Sequence, residues 1–394
     1  MTQFDDIRPF NDSEVAAAIA RVLDSAELID GVSRLRFPRL TQALPWLLRP
    51  LIKQVLRRQF RQVSSVRQVQ EIVAVYLRGM IGKKVDQLTF SGLDHLDRSK
   101  RYLFISNHRD IAMDPAFVNW ALYLNDFDTV RIAIGDNLLT KPYVSDLMRL
   151  NKSFIVNRSA SSNREKFKAS KHLSSYIHHS INEENSNIWI AQREGRAKDG
   201  LDATNSAIVS MLALSRPKSV DFADFVRELH IVPVAISYEW DPCDSAKANE
   251  LYAFQQQGSY EKQEHEDVAS IAAGIAGEKG CVHIAFGEPL NADFDSTDAV
   301  AAEIDRQVWG NYVLHPSNLL AYERLHGHLP ELPVGAKATA FEPDRFNLQR
   351  QELERRLALV PEAQRDIFLG IYANPVVNKL PSTPASGDRG PAAA

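Results

Sequence analysis

The chain has 394 residues, of which 44% are apolar, with 46 Lys and Arg against 50 Asp and Glu and a formal charge of −4. That length allows one large core with appended helices, while the near-balanced charge says little about partners and gives no signal for nucleic acid. Cys243 and Cys281 are the only cysteines and stand outside any metal-ligand spacing. This argues against a disulfide framework or a zinc site and fits a reducing compartment.

Residues 1–86 read as helical. A first helix starts from an N-cap at Asn11 or Ser13, before Val15-Ala16-Ala17-Ala18-Ile19-Ala20. Between Gly31 and Gln70 there is no acidic residue, whereas Arg34, Arg36, Arg39, Arg49, Lys53, Arg57, Arg58, Arg61 and Arg67 are all basic. After Pro50, the residues Ile52, Val55, Leu56, Phe60 and Val63 recur at helical spacing, with Lys53, Arg57, Arg58 and Arg61 on the other side of the wheel. Such a basic amphipathic helix either lies in a lipid headgroup layer or packs on the core with a solvated basic face. A further helix carries Val69, Ile72, Val73, Tyr76, Leu77 and Met80 at core spacing. No apolar run approaches the roughly 20 residues of a membrane span, and Met1–Asp6 lacks a secretory start. The expectation is a cytoplasmic protein peripherally associated with an anionic membrane surface.

From residue 87 to 325 short strands alternate with helices, which predicts an α/β domain with a mainly parallel sheet flanked by helices. The expected strands are Gln87–Phe90, Tyr102–Ser106, Val130–Ile134, Phe154–Asn157, Ile188–Gln192, Ile231–Tyr238 and Cys281–Phe286. Helices are expected near Pro115–Leu124, Pro142–Leu150, Asn163–Glu184, Asn205–Leu214 and Asp267–Ala276, then on Val300, Ile304 and Val308. Residues 326–372 read as a linker followed by charged helices broken at Pro361, and 373–394, dominated by Pro, Ala, Ser and Gly, as a disordered tail.

Four polar clusters fall at predicted strand ends, where an α/β sheet opens toward ligands. The first is Ser106-Asn107-His108-Arg109-Asp110, with Asp114 four residues on. A histidine beside carboxylates can abstract a proton, because imidazole titrates near neutrality and a carboxylate can fix its tautomer. Asp114-Pro115 also suits a helix cap with proline at the first helical position. The second cluster is Phe154-Ile155-Val156-Asn157-Arg158, whose arginine fork suits a phosphate. The third, Gln192-Arg193-Glu194-Gly195-Arg196-Ala197-Lys198-Asp199-Gly200, combines cations, carboxylates and glycines in one loop. The fourth is Ile231-Val232-Pro233-Val234, where a proline inside an apolar run predicts an edge strand or a place where something other than a strand packs alongside. No Gly-x-Ser-x-Gly, no Gly-Lys-Ser/Thr phosphate loop and no Gly-x-Gly-x-x-Gly after a strand occurs. Serine hydrolase, nucleotide hydrolase and dinucleotide oxidoreductase readings lose their usual support.

The order and spacing of these clusters resemble the glycerophospholipid acyltransferase superfamily, which includes lysophosphatidate and glycerol-3-phosphate acyltransferases. Its Asn-His-x4-Asp, Phe-(Ile/Val)-x-Arg, Glu-Gly-(Thr/Gly)-Arg and strand-proline blocks correspond to Asn107-His108 with Asp114, Phe154 to Arg158, Glu194-Gly195-Arg196 and Val232-Pro233-Val234. Phe90 to Leu96 and His283 to Leu290 add support, so the similarity runs from about Leu88 to Leu290. Two departures stand out: the aspartate comes six rather than five positions after the histidine, and no residue separates Gly195 from Arg196.

The resemblance implies acyl transfer from a thioester, acyl-CoA or acyl carrier protein, to a hydroxyl of 1-acyl-glycerol-3-phosphate, with no bound cofactor and no metal. His108 is then the general base, oriented by Asp114 with Asp110 in reserve. Arg158, Glu194, Gly195, Arg196 and Lys198 bind the acceptor, with Arg193 in reserve, and the helix beginning at Pro115 turns N–H groups toward an oxyanion. Glycerol 3-phosphate is the alternative acceptor, and a non-catalytic lipid-binding or scaffold protein is the reading from another class.

Overall fold

The computed structural model describes residues 3–380, apart from 38, 41–43, 140, 264 and 340–341. Of the segment read as a tail, 381–394 lie outside the described residues.

The N-terminal region forms helices α1 (Asp12–Asp24), α2 (Ala26–Arg36), α3 (Pro45–Phe60) and α4 (Val66–Lys84). The main-chain N–H of Asn11 donates to Glu14 at 2.8 Å, which satisfies one of the unpaired groups at the start of α1. Val15, Ala18, Ile19, Val22 and Leu23 of α1 form a small core with Val63, Val66, Val69 and Leu150. In α3, which contains Pro50 instead of starting after it, Leu48 and Ile52 close on Ile29 of α2.

The faces of α3 differ from the expected wheel. Arg49 pairs with Asp30, and Lys53 and Arg57 both pair with Asp24, so much of the basic side is turned onto α1 and α2. Trp46, Leu47, Leu51 and Val55 are exposed instead. The reason is that Leu48, Ile52 and Leu56, spaced by four, already supply the inward stripe. In α4, Val69 is buried as expected, whereas Val73 and Tyr76 are exposed.

A seven-stranded sheet follows: β1 (Gln87–Ser91), β2 (Leu103–Ser106), β3 (Arg131–Gly135), β4 (Ser153–Val156), β5 (Ile188–Ala191), β6 (Ile231–Tyr238) and β7 (Cys281–Phe286), in the order β1-β7-β6-β2-β5-β3-β4. Every pairing is parallel except β6 with β7. Alternate residues serve opposite faces. Leu103, Ile105, Ile188, Ile190 and Ile231 enter one core, and Phe104, Trp189, Val232, Val234 and Ile236 the other.

β6 is an interior strand, which corrects the edge expectation drawn from Pro233. Pairing with β7 begins only at Val234, opposite Phe286. The Pro233 carbonyl accepts the N–H of Gly287 just past the end of β7. The proline's missing donor therefore falls on the side where the ladder has stopped.

Helices α5 (Met113–Leu124), α6 (Pro142–Leu150), α7 (Asn163–Asn182), α8 (Ser206–Leu212), α9 (Phe222–Glu228), α10 (Asp244–Gln257), α11 (Glu266–Ala276), α12 (Thr297–Asn311) and α13 (Pro316–His326) connect or flank the strands. The strap after α13 is pinned by Leu314, whose N–H donates to Lys337 and whose carbonyl accepts from Thr339. It leads to α14 (Pro343–Ala358) and α15 (Arg365–Val377). The tail boundary at 373 is corrected: α15 runs on to Val377 because Ala373 and Val376 are buried in the main core despite their low-complexity setting.

Candidate active site

β2 ends at Ser106, and the next side chain ties the turn to the middle of the sheet. Asn107 accepts the N–H of Ile236 at 2.7 Å through Oδ1 and donates to the Ile236 carbonyl at 3.0 Å through Nδ2. His108 follows, with Nδ1 2.8 Å from Asp114 Oδ2. Asp114 is fully buried. The same Oδ2 accepts the N–H groups of Arg109 at 2.6 Å and Asp110 at 3.0 Å, and Oδ1 accepts the Tyr238 hydroxyl at 2.7 Å. A carboxylate partner places the imidazole proton on Nδ1, so the neutral ring carries its lone pair on Nε2. The Trp189 ring stands edge-on to His108 with centroids 5.5 Å apart, and its indole N–H donates to Ser106 Oγ at 3.0 Å.

The two aspartates divide their tasks differently from the cap reading. Asp110 Oδ1 accepts the N–H groups of Ala112 at 3.0 Å and Met113 at 2.9 Å, so Asp110, and not Asp114, closes the start of α5. Helix α5 begins at Met113, two residues before Pro115, because that carboxylate supplies the cap. The amides of Ala112 and Met113 are thereby used up and are not free for an oxyanion. Burial, helped by the charge of Asp114, pushes the Asp110 carboxyl up from its ordinary range.

The 192–200 loop is fastened to the same turn. Gln192 donates its N–H to the Ser106 carbonyl at 2.8 Å, and Ala197 donates to the His108 carbonyl at 2.9 Å. Gly195 has φ of +72° and Gly200 φ of +83°, the left-handed region that glycine enters freely. A Cβ on Gly200 would fall 2.4 Å from the Ile371 carbonyl, so α15 rests directly on this loop.

The cations converge in part. Arg158 lies across Gly135, where a Cβ would stand 3.0 Å from its Cδ and Nε, and its Nε is 3.7 Å from Glu194. Arg196 donates to Ser270 Oγ of α11 at 3.3 Å. Lys198 lines the same cavity but is ion-paired with Glu250 of α10, and burial lowers its pKa. Arg193 has no ion-pair partner among the described residues and shares a cavity wall with His108, Arg158 and Arg196.

That cavity measures roughly 2040 Å³. Its apolar walls include Leu77 and Met80 of α4, Trp120 of α5, Ile132 of β3 and Leu147 of α6. With His108 Nδ1 committed to a buried carboxylate, Nε2 is the nitrogen left to the cavity. Among the described residues no group of three or more His, Cys, Asp or Glu side chains is placed to hold a metal ion.

Residues 87–237 match the protein family described as Acyltransferase. This segment is an acyltransferase domain. The matched range spans the positions of His108, Asp114, Arg158 and Arg196. Among solved structures, the 1-acyl-sn-glycerophosphate (LPA) acyltransferase PlsC from Thermotoga maritima is similar at 13% identity, covering 75% of this chain and 94% of that one with a TM-score of 0.34. No curated protein matches.

Two members of the site had no signal in the chain. Trp189 reads as one more apolar residue of β5. Tyr238 lies 124 positions from Asp114 and closes an apolar strand, so nothing local shows that its hydroxyl meets a carboxylate.

Proposed function

We propose that the acyltransferase domain moves a fatty acyl group from a thioester, acyl-CoA or acyl carrier protein, to the free hydroxyl of 1-acyl-glycerol-3-phosphate. The observation that supports this best is the His108–Asp114 pair, its carboxylate fully buried and its imidazole opening onto a large apolar-walled cavity with Arg158, Arg193 and Arg196 among its lining residues. His108 Nε2 takes the hydroxyl proton, the oxygen attacks the thioester carbonyl, and the thiolate leaves with the proton returned from the imidazolium. Asp114 holds the ring and offsets its positive charge during the step. No enzyme-borne nucleophile is needed.

The guanidinium groups suit the acceptor phosphate, which they can grip through two oxygens each. Glu194, beside Arg158, orients that arginine or accepts from a glycerol hydroxyl. Arg193 and Lys198 line the same cavity and can share the phosphate with Arg158 and Arg196. The apolar walls suit acyl chains, and the exposed Trp46, Leu47, Leu51 and Val55 of α3, with Arg58 and Arg61 alongside, suit a lipid surface. Among the described residues no helix is long and apolar enough to cross a membrane.

The test is incubation of purified protein with an acyl thioester and either lysophosphatidate or glycerol 3-phosphate, read by the mass of the lipid product. Diacyl product from lysophosphatidate is expected. Thioester loss without an acylated acceptor, or acylation of glycerol 3-phosphate alone, would reject the acceptor assignment.

A further inference from the structure

Tyr238 is the last residue of β6 and lies one position beyond the acyltransferase match. It is buried, fixed by antiparallel pairing with Val282 of β7 and by the Phe117 ring at 5.9 Å. Among the described residues its hydroxyl bonds the oxygen of Asp114 that His108 does not use. We propose that Tyr238 is a positioning residue of the His108–Asp114 pair: by occupying Asp114 Oδ1, it keeps Oδ2 aimed at the imidazole and sets how strongly the carboxylate attracts the ring proton. This rests on the reading of His108 as the base, but its test does not.

Three observations carry the inference. Without the phenol, Oδ1 would be a buried acceptor with no partner, a costly state that a carboxylate relieves by rotating or by drawing more on its remaining donors. Those remaining donors are His108 Nδ1 and the amides of Arg109 and Asp110, all on Oδ2. The phenol also stays a donor throughout. Burial, with the negative charges of Asp114, Asp110 and Asp241 around it, holds its pKa well above the usual tyrosine value. Among the charges nearby on other elements, Asp241 is paired with Lys247 of α10, and Lys279, ahead of β7, donates to the Gly277 carbonyl at 2.8 Å. Tyr238 therefore cannot take the proton in place of His108, and it acts through Asp114 alone.

Removing the hydroxyl leaves Asp114 a stronger acceptor and favours the imidazolium. For Tyr238→Phe the titration midpoint of the His108 ring, followed by NMR on histidine-labelled protein without substrate, is expected to move up by about 0.5–1 pH unit. The acid limb of kcat/KM for acyl transfer should move up with it, kcat near neutrality should fall about tenfold, and KM for the acceptor should stay unchanged. Tyr238→3-fluorotyrosine, a stronger donor of nearly the same shape, should shift the midpoint the other way and serves if Tyr238→Phe does not fold. In an Asp114→Asn background neither change should shift it. An unmoved midpoint in folded variants, or an equal shift in the Asp114→Asn background, would overturn the proposal by reducing Tyr238 to packing. A moved midpoint in a protein that transfers no acyl group would uphold it and reject the proposed function instead.

Discussion

Lys247 holds the main chain of Arg109: its buried ammonium donates to the Arg109 carbonyl at 2.7 Å and pairs with Asp241. The turn carrying His108 is thereby tied to α10. From there the Tyr372 hydroxyl, 3.1 Å from the Asp241 N–H and 2.7 Å from Asp244, extends the connection to α15. Arg109 itself pairs with Asp202 in the same interior. The C-terminal helices, outside the family match, are thus part of what keeps the site in shape.

Lys247→Met should be strongly destabilising, since it leaves Asp241 as an uncompensated buried charge. A loss of about 3–5 kcal/mol is expected, the usual cost of breaking a buried pair from one side. Urea unfolding followed by circular dichroism measures it. A loss below about 1 kcal/mol would mean that the network contributes little.

The two aspartates should separate cleanly in mutants. Asp114→Asn is expected to lower turnover by about 10²–10⁴-fold, the range for losing acid–base competence. Asp110→Asn should instead cost stability, about 0.5–2 kcal/mol as for a helix cap, with turnover of the folded protein within a few-fold of the parent. Parallel assays and melts decide, and a larger loss of turnover at Asp110 would reverse the roles.

Membrane association should depend on one side of α3. Arg57 is occupied by Asp24, so the informative cations are Arg58 and Arg61, together with Leu47 and Leu51. Reversing both charges removes attraction worth about 1 kcal/mol per cation, and Leu51→Asp adds a polar group to the apolar ridge. Each variant should stay in the supernatant when the parent sediments with anionic vesicles; unchanged sedimentation would make this a solvated helix face.

Acid should destabilise the fold through His283. Its ring nitrogens lie 2.7 Å from Thr89 Oγ1 and 2.9 Å from Ser91 Oγ, and burial pushes its pKa down to about 4. The unfolded histidine gains a proton below about pH 6.5, whereas the folded one resists to about 4. The unfolded state binds more protons in that window, so stability falls as pH drops from about 6.5 to 4, by at most about 1.4 kcal/mol per pH unit from this group. His283→Gln should flatten that slope in unfolding curves taken at several pH values, and an identical slope would assign it elsewhere.

The strands are legible because burial writes them as short apolar runs: Ile231–Tyr238 and Cys281–Phe286 agree with the structure residue for residue. Helix α10 is not legible, because it buries Asp244 and Lys247 beside Ala248 where an apolar stripe would have marked it. The end of α15 is hidden for the opposite reason, since Ala373 and Pro375 look like tail composition until α10 and α13 supply a surface to cover them. Within the site, His108 and Asp114 are close in the chain and their chemistry can be read there. Their supports are not, because Tyr238 reaches Asp114, and Lys247 the Arg109 carbonyl, only through sheet order and helix packing.

The most direct measurement compares parent and His108→Ala protein, both shown folded by circular dichroism, for acyl-thioester consumption with lysophosphatidate. Loss of turnover by at least about 10³-fold with an unchanged melting profile is the predicted result. Retained turnover in the folded variant would contradict the assignment of His108 as the base.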